Sequence, residues 1–295
     1  MPKTQEWHWY VEEFAPAEQH HHALDELYFS GRSGFQQIAI VRSPIFGKML
    51  VLDGDTQSAQ LDERIYHETL VHPALAAASD RRHVLVLGGG EGATLREVLR
   101  CPDVERCTMV DIDSLVVELS KKYLPEWSDG AFDDRRARVI VGDALEFMRG
   151  SEERFGVILS DLTEPLEDSP SNPLFNDAVF DSIKARLEDG GVYALQASTA
   201  AVQNASLHCK MARTLRRHYA HVASYSAHVP AFDTEWAFLA CSDRVDLARL
   251  EPERIEAYCN SLQGESFFYD AVTHSRLFAL PKYLRRMLAA GGDTF

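Results

Sequence analysis

The chain has 295 residues, of which 45% are hydrophobic, so it can form one sizeable domain or two unequal ones. Its formal net charge of −15 disfavours nucleic acid and anionic lipid as partners and favours cationic ligands. No run of about 18 apolar residues occurs, so the sequence predicts no membrane span.

The cysteines and the first residues predict a cytoplasmic location. The five cysteines form no CxxC motif, which is typical of free thiols in a reducing compartment. The opening residues MPKTQEWHWY lack the basic and apolar regions of a secretory signal peptide.

The N-terminal part of the chain predicts β-structure. Residues 35–62 alternate between apolar and polar side chains and are interrupted by proline and glycine, which predicts a small antiparallel sheet. The aromatic run at residues 7–10 predicts a strand, with a substrate lid as the alternative. Residues 20–22 are three histidines. Because adjacent side chains cannot all face one ion, they predict a solvated loop rather than a metal site.

Beyond a helix predicted at residues 63–78, apolar strands alternate with helices, which predicts a parallel sheet covered on both faces. Two strands near residues 221–243 predict an antiparallel pair at its edge. We therefore expect an α/β protein in which a small antiparallel β-domain (1–66) precedes a doubly wound, Rossmann-like domain (67–295). The later helices are predicted at residues 92–100, 114–123, 144–149, 175–187, 202–218, 251–262 and 281–289.

A glycine-rich turn follows the first strand of the second domain, in the segment VLVLGGGEGATLREVL. Asp111 lies about twenty residues further on, where a carboxylate can accept hydrogen bonds from ribose hydroxyls. Asp143 ends the third strand and could accept from an adenine amino group. These features indicate a nucleoside ligand, although NAD, FAD and S-adenosyl donors all use versions of the pattern.

Glu91 inside the glycine loop discriminates among these ligands. A carboxylate there would repel a pyrophosphate or the carboxylate tail of S-adenosylmethionine. It would attract a tail that ends in a bare ammonium group. The loop therefore favours decarboxylated S-adenosylmethionine as co-substrate.

Two further acids follow the fourth strand in the segment SDLTEP. Asp161 ends the strand, where such folds place their sites, and could take the proton that an amine must lose before it attacks. Glu164 could hold a second ammonium group of the same polycation.

The combined motifs resemble those of the polyamine aminopropyltransferases, the family of spermidine synthase. GKMLVLDGDTQSAQLDERIYHETLVHP resembles the N-terminal signature, and VLGGGEGATLREVL, VDID, GDALEFM, SDLTEP and GGVYALQA follow in the family's order. The resemblance spans about residues 7–245. It implies a class I methyltransferase-like catalytic fold, transfer of a 3-aminopropyl group from decarboxylated S-adenosylmethionine to an amine, and a homodimer or homotetramer.

The resemblance also implies residue roles. Asp161 and Tyr66 correspond to catalytic residues, and His67, Glu164 and Gln196 correspond to residues on the amine side. The implied donor contacts are Gln36, Gln57, Gly88, Gly90, Glu91, Asp111, Asp143 and Ala144. No metal ion and no prosthetic group are expected.

The acceptor prediction depends on departures from spermidine synthases. Spermidine synthases usually carry Asp at the positions of Glu91 and Glu164. They also carry a late loop whose tyrosine helps to bind putrescine, and in this chain that loop is replaced by HVPAFDTEWAF. That segment is similar to the thermospermine synthase branch, so we expect spermidine as acceptor, with putrescine as the alternative. The acids expected to hold it are Glu164, Glu167, Asp168, Asp233 and Glu235.

Two further classes of protein remain open from the residues. An S-adenosylmethionine-dependent small-molecule methyltransferase could use the same fold, although Glu91 and the acidic acceptor side argue against it. A polyamine-binding protein without catalytic activity would keep the acids.

Overall fold

The computed structural model describes residues 7–15, 17–164 and 175–290. An antiparallel hairpin of β1 (His8–Ala15) and β2 (Glu18–Leu24) comes first, so the aromatic run forms the predicted strand. The predicted histidine loop is wrong, because all three histidines lie on β2. Their side chains alternate between the faces of the strand: His22 is buried against Phe46, whereas His21 is exposed.

The predicted antiparallel sheet is confirmed and has four strands in sequential order. Its inward face buries Ile38, Ile40, Leu50 and Leu52. The strands are β3 (Glu26–Arg32), β4 (Gln37–Ser43), β5 (Gly47–Leu52) and β6 (Asp55–Ala59).

The second domain contains a seven-stranded sheet in the order β12-β13-β11-β10-β7-β8-β9. The five strands from β11 to β9 run parallel, and β13 and β12 add the predicted antiparallel pair at the edge. The strands are β7 (His83–Gly88), β8 (Arg106–Asp111), β9 (Ala137–Val141), β10 (Phe155–Asp161), β11 (Leu187–Thr199), β12 (His221–Val229) and β13 (Thr234–Ser242).

Helices cover both faces of this sheet, which confirms the doubly wound α/β class. Along β7, Val84 and Val86 enter one core, and Leu85 and Leu87 enter the other. The helices are α1 (Glu63–Ala77), α2 (Ala93–Leu99), α3 (Ser114–Tyr123), α4 (Pro125–Ser128), α5 (Ala144–Gly150), α6 (Asp177–Arg186), α7 (Ser206–Leu215), α8 (Pro252–Ser261), α9 (Ala271–Leu277) and α10 (Lys282–Ala290).

Helix α1 crosses from the small sheets into the second domain and contributes to its core. The division at residue 66 lies within this helix and stays a prediction. Helix α7 is shorter than predicted, because residues 202–205 before it and residues 216–218 after it form turns. Within the described ranges, no helix is long and apolar enough to cross a bilayer.

Candidate active site

The glycine loop lies against the end of β10. Gly88 has φ +81°, and a Cβ atom there would lie 2.2 Å from the carbonyl oxygen of Asp161. The amide of Gly89 donates to the same carbonyl at 3.0 Å. A Cβ at Gly90 would lie 2.8 Å from the carboxylate of Asp111. Glycine is therefore required for the backbone to approach the acids at the ends of two strands.

The Asp161 carboxylate is held by one hydroxyl on each oxygen. Tyr66 of α1 donates to Oδ1 at 2.8 Å, and Thr94 of α2 donates to Oδ2 at 2.5 Å. Burial, reinforced by the neighbouring Asp161 charge, raises the pKa of Tyr66 well above its usual value. Tyr66 is therefore a neutral donor that orients Asp161 at neutral pH.

Glu91 has two protein partners. His67 Nε2 lies 2.7 Å from its Oε1, and the Ser58 hydroxyl donates to its Oε2 at 2.6 Å. Burial alone would lower the pKa of His67, but its bonds with Glu63 and Glu91 outweigh that effect and raise the pKa well above 6.5. His67 is 1% exposed, so it lies behind Glu91 rather than at the surface of a cavity.

A cavity of about 170 Å³ opens in front of the glycine loop. We call it the glycine-loop cavity. Every donor contact expected from the sequence lines it, and Asp161 and Tyr66 line it as well. These donor contacts are Gln36, Gln57, Gly88, Gly90, Glu91, Asp111, Asp143 and Ala144.

Three polar side chains of this cavity are oriented by their own neighbours. Gln36 donates through Nε2 to Asp113 at 2.9 Å, and Asp143 caps α5 by accepting from the amide of Leu145 at 2.6 Å. Burial raises the pKa of Asp111 to about 6, partly offset by the backbone amides of Asp113 and Gly90. The cavity thus presents acceptor oxygens on several sides, as a nucleoside with hydroxyl and amino groups requires.

A second cavity, of about 620 Å³, adjoins the first. We call it the acidic cavity, because five carboxylates and one guanidinium line it. The ionisable residues are Glu12, Glu13, Asp53, Asp55, Glu164 and Arg32. Phe14, Phe232 and Trp236 add apolar walls.

The carboxylates of the acidic cavity affect one another. Burial, followed by the charges of Glu12 and Glu164, raises the pKa of Asp55 to about 6. Burial also raises the pKa of Glu164, although a hydrogen bond with Ser198 partly opposes the shift. Glu12 accepts from the backbone amide and the hydroxyl of Thr56, both at 2.9 Å. Such a cluster favours a cationic occupant, because a cation relieves the repulsion between the acids.

Some of the acids expected on the acceptor side are not brought to this cavity. Asp233 is exposed after a short turn, with φ +50°, and Glu235 accepts from Ser226 at 3.3 Å. Trp236, the next residue on β13, lines the cavity instead, because neighbouring strand residues face opposite ways. Gln196 does line it. Glu167 and Asp168 lie outside the described residues.

Three residues of the site, Glu12, Asp55 and Thr94, are not predicted from the sequence. Tyr10 and Glu12 are two residues apart on β1 and therefore share a face. Tyr10 donates to the carbonyl of Gly54, and Glu12 accepts from the amide of Thr56. This face of β1 therefore packs on the start of β6 and the turn that precedes it. Period-two alternation in WHWYVEEF could have predicted that Glu12 points the same way as Tyr10.

The two cavities meet at a shared wall, and Tyr66, Gln36 and Gln57 line both. Residues 63–249 match the model of the spermine/spermidine synthase domain, and residues 8–60 match that of the spermidine synthase tetramerisation domain. The chain belongs to the spermine/spermidine synthase family. It is an aminopropyltransferase, which confirms the prediction against the methyltransferase and non-catalytic alternatives.

Curated relatives match nearly the whole chain. The polyamine aminopropyltransferases of Sulfurisphaera tokodaii and Sulfolobus acidocaldarius are 37% and 38% identical over 96% of this chain and 94% of their own length. That of Aeropyrum pernix is 40% identical over 96% of this chain and 91% of its own.

Solved structures share the same architecture. A spermidine synthase in complex with the transition-state analogue AdoDATO superposes with a TM-score of 0.89 and 26% identity, covering 98% of this chain and 99% of that one. The spermidine synthase of Thermotoga maritima gives a TM-score of 0.88 and 27% identity, covering 97% of this chain and 96% of that one.

Proposed function

We propose that this aminopropyltransferase moves a 3-aminopropyl group from decarboxylated S-adenosylmethionine to spermidine and releases methylthioadenosine. The observation that carries the proposal is the position of Tyr66, which lines both cavities and bonds to Asp161. A donor in the glycine-loop cavity and an amine in the acidic cavity would meet beside this carboxylate.

The reaction is a direct displacement at the carbon next to the donor's sulfonium. The attacking amine forms a C–N bond as the C–S bond breaks, and the electron pair of that bond stays on sulfur as methylthioadenosine leaves. Asp161 takes the proton that the amine loses. Tyr66 and Thr94 orient the carboxylate, so the chain's contribution is positioning and proton removal.

Glu91 supports the decarboxylated donor. It is the carboxylate of the glycine loop, it lines the glycine-loop cavity, and its oxygens are anchored by His67 and Ser58. An ammonium tail would pair with it, whereas a donor that also carries a carboxylate would bring two negative groups together. The relative solved with AdoDATO is consistent with a nucleoside occupant of this cavity.

The acidic cavity favours a triamine over a diamine. After one amine has reacted as the neutral nucleophile, spermidine keeps two ammonium groups and putrescine keeps one. Glu12, Asp55 and Glu164 are close enough for the charges of Glu12 and Glu164 to raise the pKa of Asp55. Two cations oppose the repulsion among these acids better than one, because each ammonium group stabilises the ionised form of the carboxylates near it. We assign the acceptor to these three acids rather than to Asp233 and Glu235.

Product analysis tests the proposal. The protein is incubated with decarboxylated S-adenosylmethionine and, separately, with putrescine, cadaverine, agmatine or spermidine. Methylthioadenosine released chiefly with spermidine, together with a tetraamine product, supports the proposal. If putrescine is the better substrate, the putrescine-using alternative is correct.

We also propose that the chain forms a homo-oligomer through its first 60 residues. Large apolar side chains are exposed there, namely Trp9, Val11, Leu27, Phe35 and Ile45. Exposed apolar patches commonly mark interfaces between subunits. Sedimentation of the full chain tests this, and a monomer at micromolar concentration contradicts it.

A further inference from the structure

Glu91 lies in a closed ring of hydrogen bonds and ion pairs that extends behind the glycine-loop cavity, and its link to His67 is an ion pair of 2.7 Å. The ring joins four separate parts of the fold: strand β6, helix α1, the glycine loop with α2, and the short helix α4. Every member is at most 8% exposed. In ring order, its members are Glu91, His67, Glu63, Arg96, Trp127 and Ser58.

One half of the ring is ionic. His67 Nδ1 lies 3.0 Å from Oε2 of Glu63, and its Nε2 faces Glu91. Both neighbours are acceptors, so both ring nitrogens must carry a proton and the imidazole is a cation. Arg96 then donates to both oxygens of Glu63, at 3.0 and 2.9 Å. Burial alone would raise the pKa of Glu63, but the bonds from His67 and Arg96 lower it.

The other half of the ring passes through neutral groups. Arg96 donates through Nη1 to the carbonyl of Trp127 at 2.6 Å. The indole Nε1 of Trp127 donates to the Ser58 hydroxyl at 2.9 Å. With that lone pair occupied, the Ser58 proton is directed to Oε2 of Glu91. The indole therefore sets the direction of the hydroxyl that anchors Glu91.

The two halves hold the Glu91 carboxylate by different oxygens. The terminal torsion of a glutamate is broad, so a single anchor would leave the carboxylate free to turn. His67 on Oε1 and Ser58 on Oε2 fix the plane of the group. Each buried charge of the ring has an opposite charge beside it, and Arg96 Nε also donates to the buried carboxylate of Glu97 at 2.8 Å, so no charge of the ring is left unpaired.

We propose that Ser58 and Trp127 are positioning residues for donor selection, acting through the orientation of Glu91. This inference rests on the proposed function, in which Glu91 pairs with the ammonium tail of the donor. Without the ring, the Glu91 carboxylate would remain in the loop, but its oxygens would no longer be held toward the cavity. The preference for the decarboxylated donor would fall while use of the acceptor stayed the same.

The test uses three variants of the ring: Ser58→Ala, Trp127→Phe and the double variant that combines these two changes. Each is compared with Glu91→Gln. The affinity for decarboxylated S-adenosylmethionine and for S-adenosylmethionine is measured by calorimetry, and KM is measured for both substrates. We expect Ser58→Ala to weaken binding of the decarboxylated donor by about tenfold, as for loss of a hydrogen bond to a charged group, and to leave the acceptor KM unchanged. Trp127→Phe should weaken binding of the decarboxylated donor less than Ser58→Ala does. Because the indole acts through the Ser58 hydroxyl, the double variant should bind this donor as Ser58→Ala does.

Two variants separate positioning from stability. Ser58→Thr keeps a hydroxyl at this position. In contrast to Ser58→Ala, it should therefore keep most of the donor preference of the parent. Ser120→Ala removes another buried hydroxyl, one that has no hydrogen-bond partner among the described residues, and should leave donor binding unchanged. Thermal unfolding of each variant shows which losses are structural.

The outcomes distinguish this inference from the proposed function. If Glu91→Gln loses the donor preference but Ser58→Ala and Trp127→Phe keep it, the ring does not position Glu91 and the inference is overturned. If Glu91→Gln itself keeps the preference, the role of Glu91 in the proposed function is wrong, and the inference fails with it. Equal losses for donor and acceptor, together with a lower unfolding temperature, would mean that the ring is only structural.

Discussion

The Tyr66 hydroxyl donates a 2.8 Å hydrogen bond to Asp161 at the wall shared by the two cavities. Because Thr94 holds the other carboxylate oxygen, the Asp161 carboxylate has one fixed orientation at the edge of the glycine-loop cavity. In the proposed reaction, an amine that enters past Tyr66 from the acidic cavity would give its proton to this carboxylate.

Replacing Asp161 with Asn should remove proton acceptance and keep the shape of the site. We expect kcat to fall by about 10² to 10⁴, the usual range for loss of a general base. Donor affinity should stay within a few-fold of the parent value. Single-turnover release of methylthioadenosine, with donor binding measured by calorimetry, provides the check. Nearly full activity of Asp161→Asn would remove the residue from its assigned role.

Glu91→Gln should weaken binding of the decarboxylated donor and narrow its advantage over S-adenosylmethionine. A carboxylate that hydrogen-bonds a cation in a partly buried site contributes about 1.5–3 kcal/mol. Competition between the two donors in the parent and the variant measures the change. If the parent and Glu91→Gln prefer the decarboxylated donor over S-adenosylmethionine equally, Glu91 is not the residue that selects the donor.

Asp55 should give acceptor use a characteristic pH dependence. Its pKa in the free protein is raised to about 6, so below that pH the carboxyl is neutral and pairs weakly with an ammonium. The ratio of the parent's kcat/KM for the acceptor to that of Asp55→Asn should be near one at about pH 5 and rise to a plateau above about pH 7. Groups far from Asp55 titrate alike in both proteins and cancel in this ratio, which therefore reports Asp55 together with its charged neighbours Glu12 and Glu164.

The donor serves as the internal control for the pH experiment. Asp111, whose pKa is also raised to about 6, lines only the glycine-loop cavity. Its titration should appear in kcat/KM for the donor and should be the same in the parent and in Asp55→Asn. A ratio for the acceptor that does not change with pH would show that Asp55 does not contact the amine.

Gly88→Ala should lower stability and activity by more than the cost of placing alanine in a left-handed backbone conformation. Gly88 and Gly130 both have φ +81°, but an added Cβ at Gly130 meets nothing within 4 Å, whereas at Gly88 it meets the Asp161 carbonyl. Gly130→Ala should therefore cost only about 1–2 kcal/mol for the left-handed conformation. Gly88→Ala should cost more and also lower kcat, because Asp161 must move. Equal losses of stability with unchanged kcat would contradict the close approach.

Several features of the site could be predicted from the sequence because they depend on strand ends. Asp111 and Asp161 follow apolar runs, and the carboxyl ends of parallel strands meet at one edge of a sheet, so their convergence follows from the β–α alternation. Glu91 could be placed for the same reason, as part of the loop after β7.

Other features depend on how distant elements pack, which one sequence does not encode locally. Glu12 reaches the acidic cavity only because the N-terminal hairpin folds over β6, the strand that begins with Asp55. His67 was expected beside the amine, but it is buried between Glu63 and Glu91 and lies behind Glu91. Asp233 and Glu235 share a segment with two residues that line the cavity, yet the turn and the strand alternation direct them away from it.

The most direct test of the account is the choice of acceptor, measured as kcat/KM for spermidine and for putrescine at one ionic strength, with decarboxylated S-adenosylmethionine saturating. The acidic cavity, in which the charges of Glu12 and Glu164 help to raise the pKa of Asp55, predicts that spermidine is preferred by at least about tenfold, equivalent to about 1.4 kcal/mol of transition-state discrimination. Methylthioadenosine and the polyamine product are both quantified in each reaction. The first measures cleavage of the donor, and the second measures transfer to the acceptor. A higher kcat/KM for putrescine would contradict the account and identify a putrescine-using spermidine synthase.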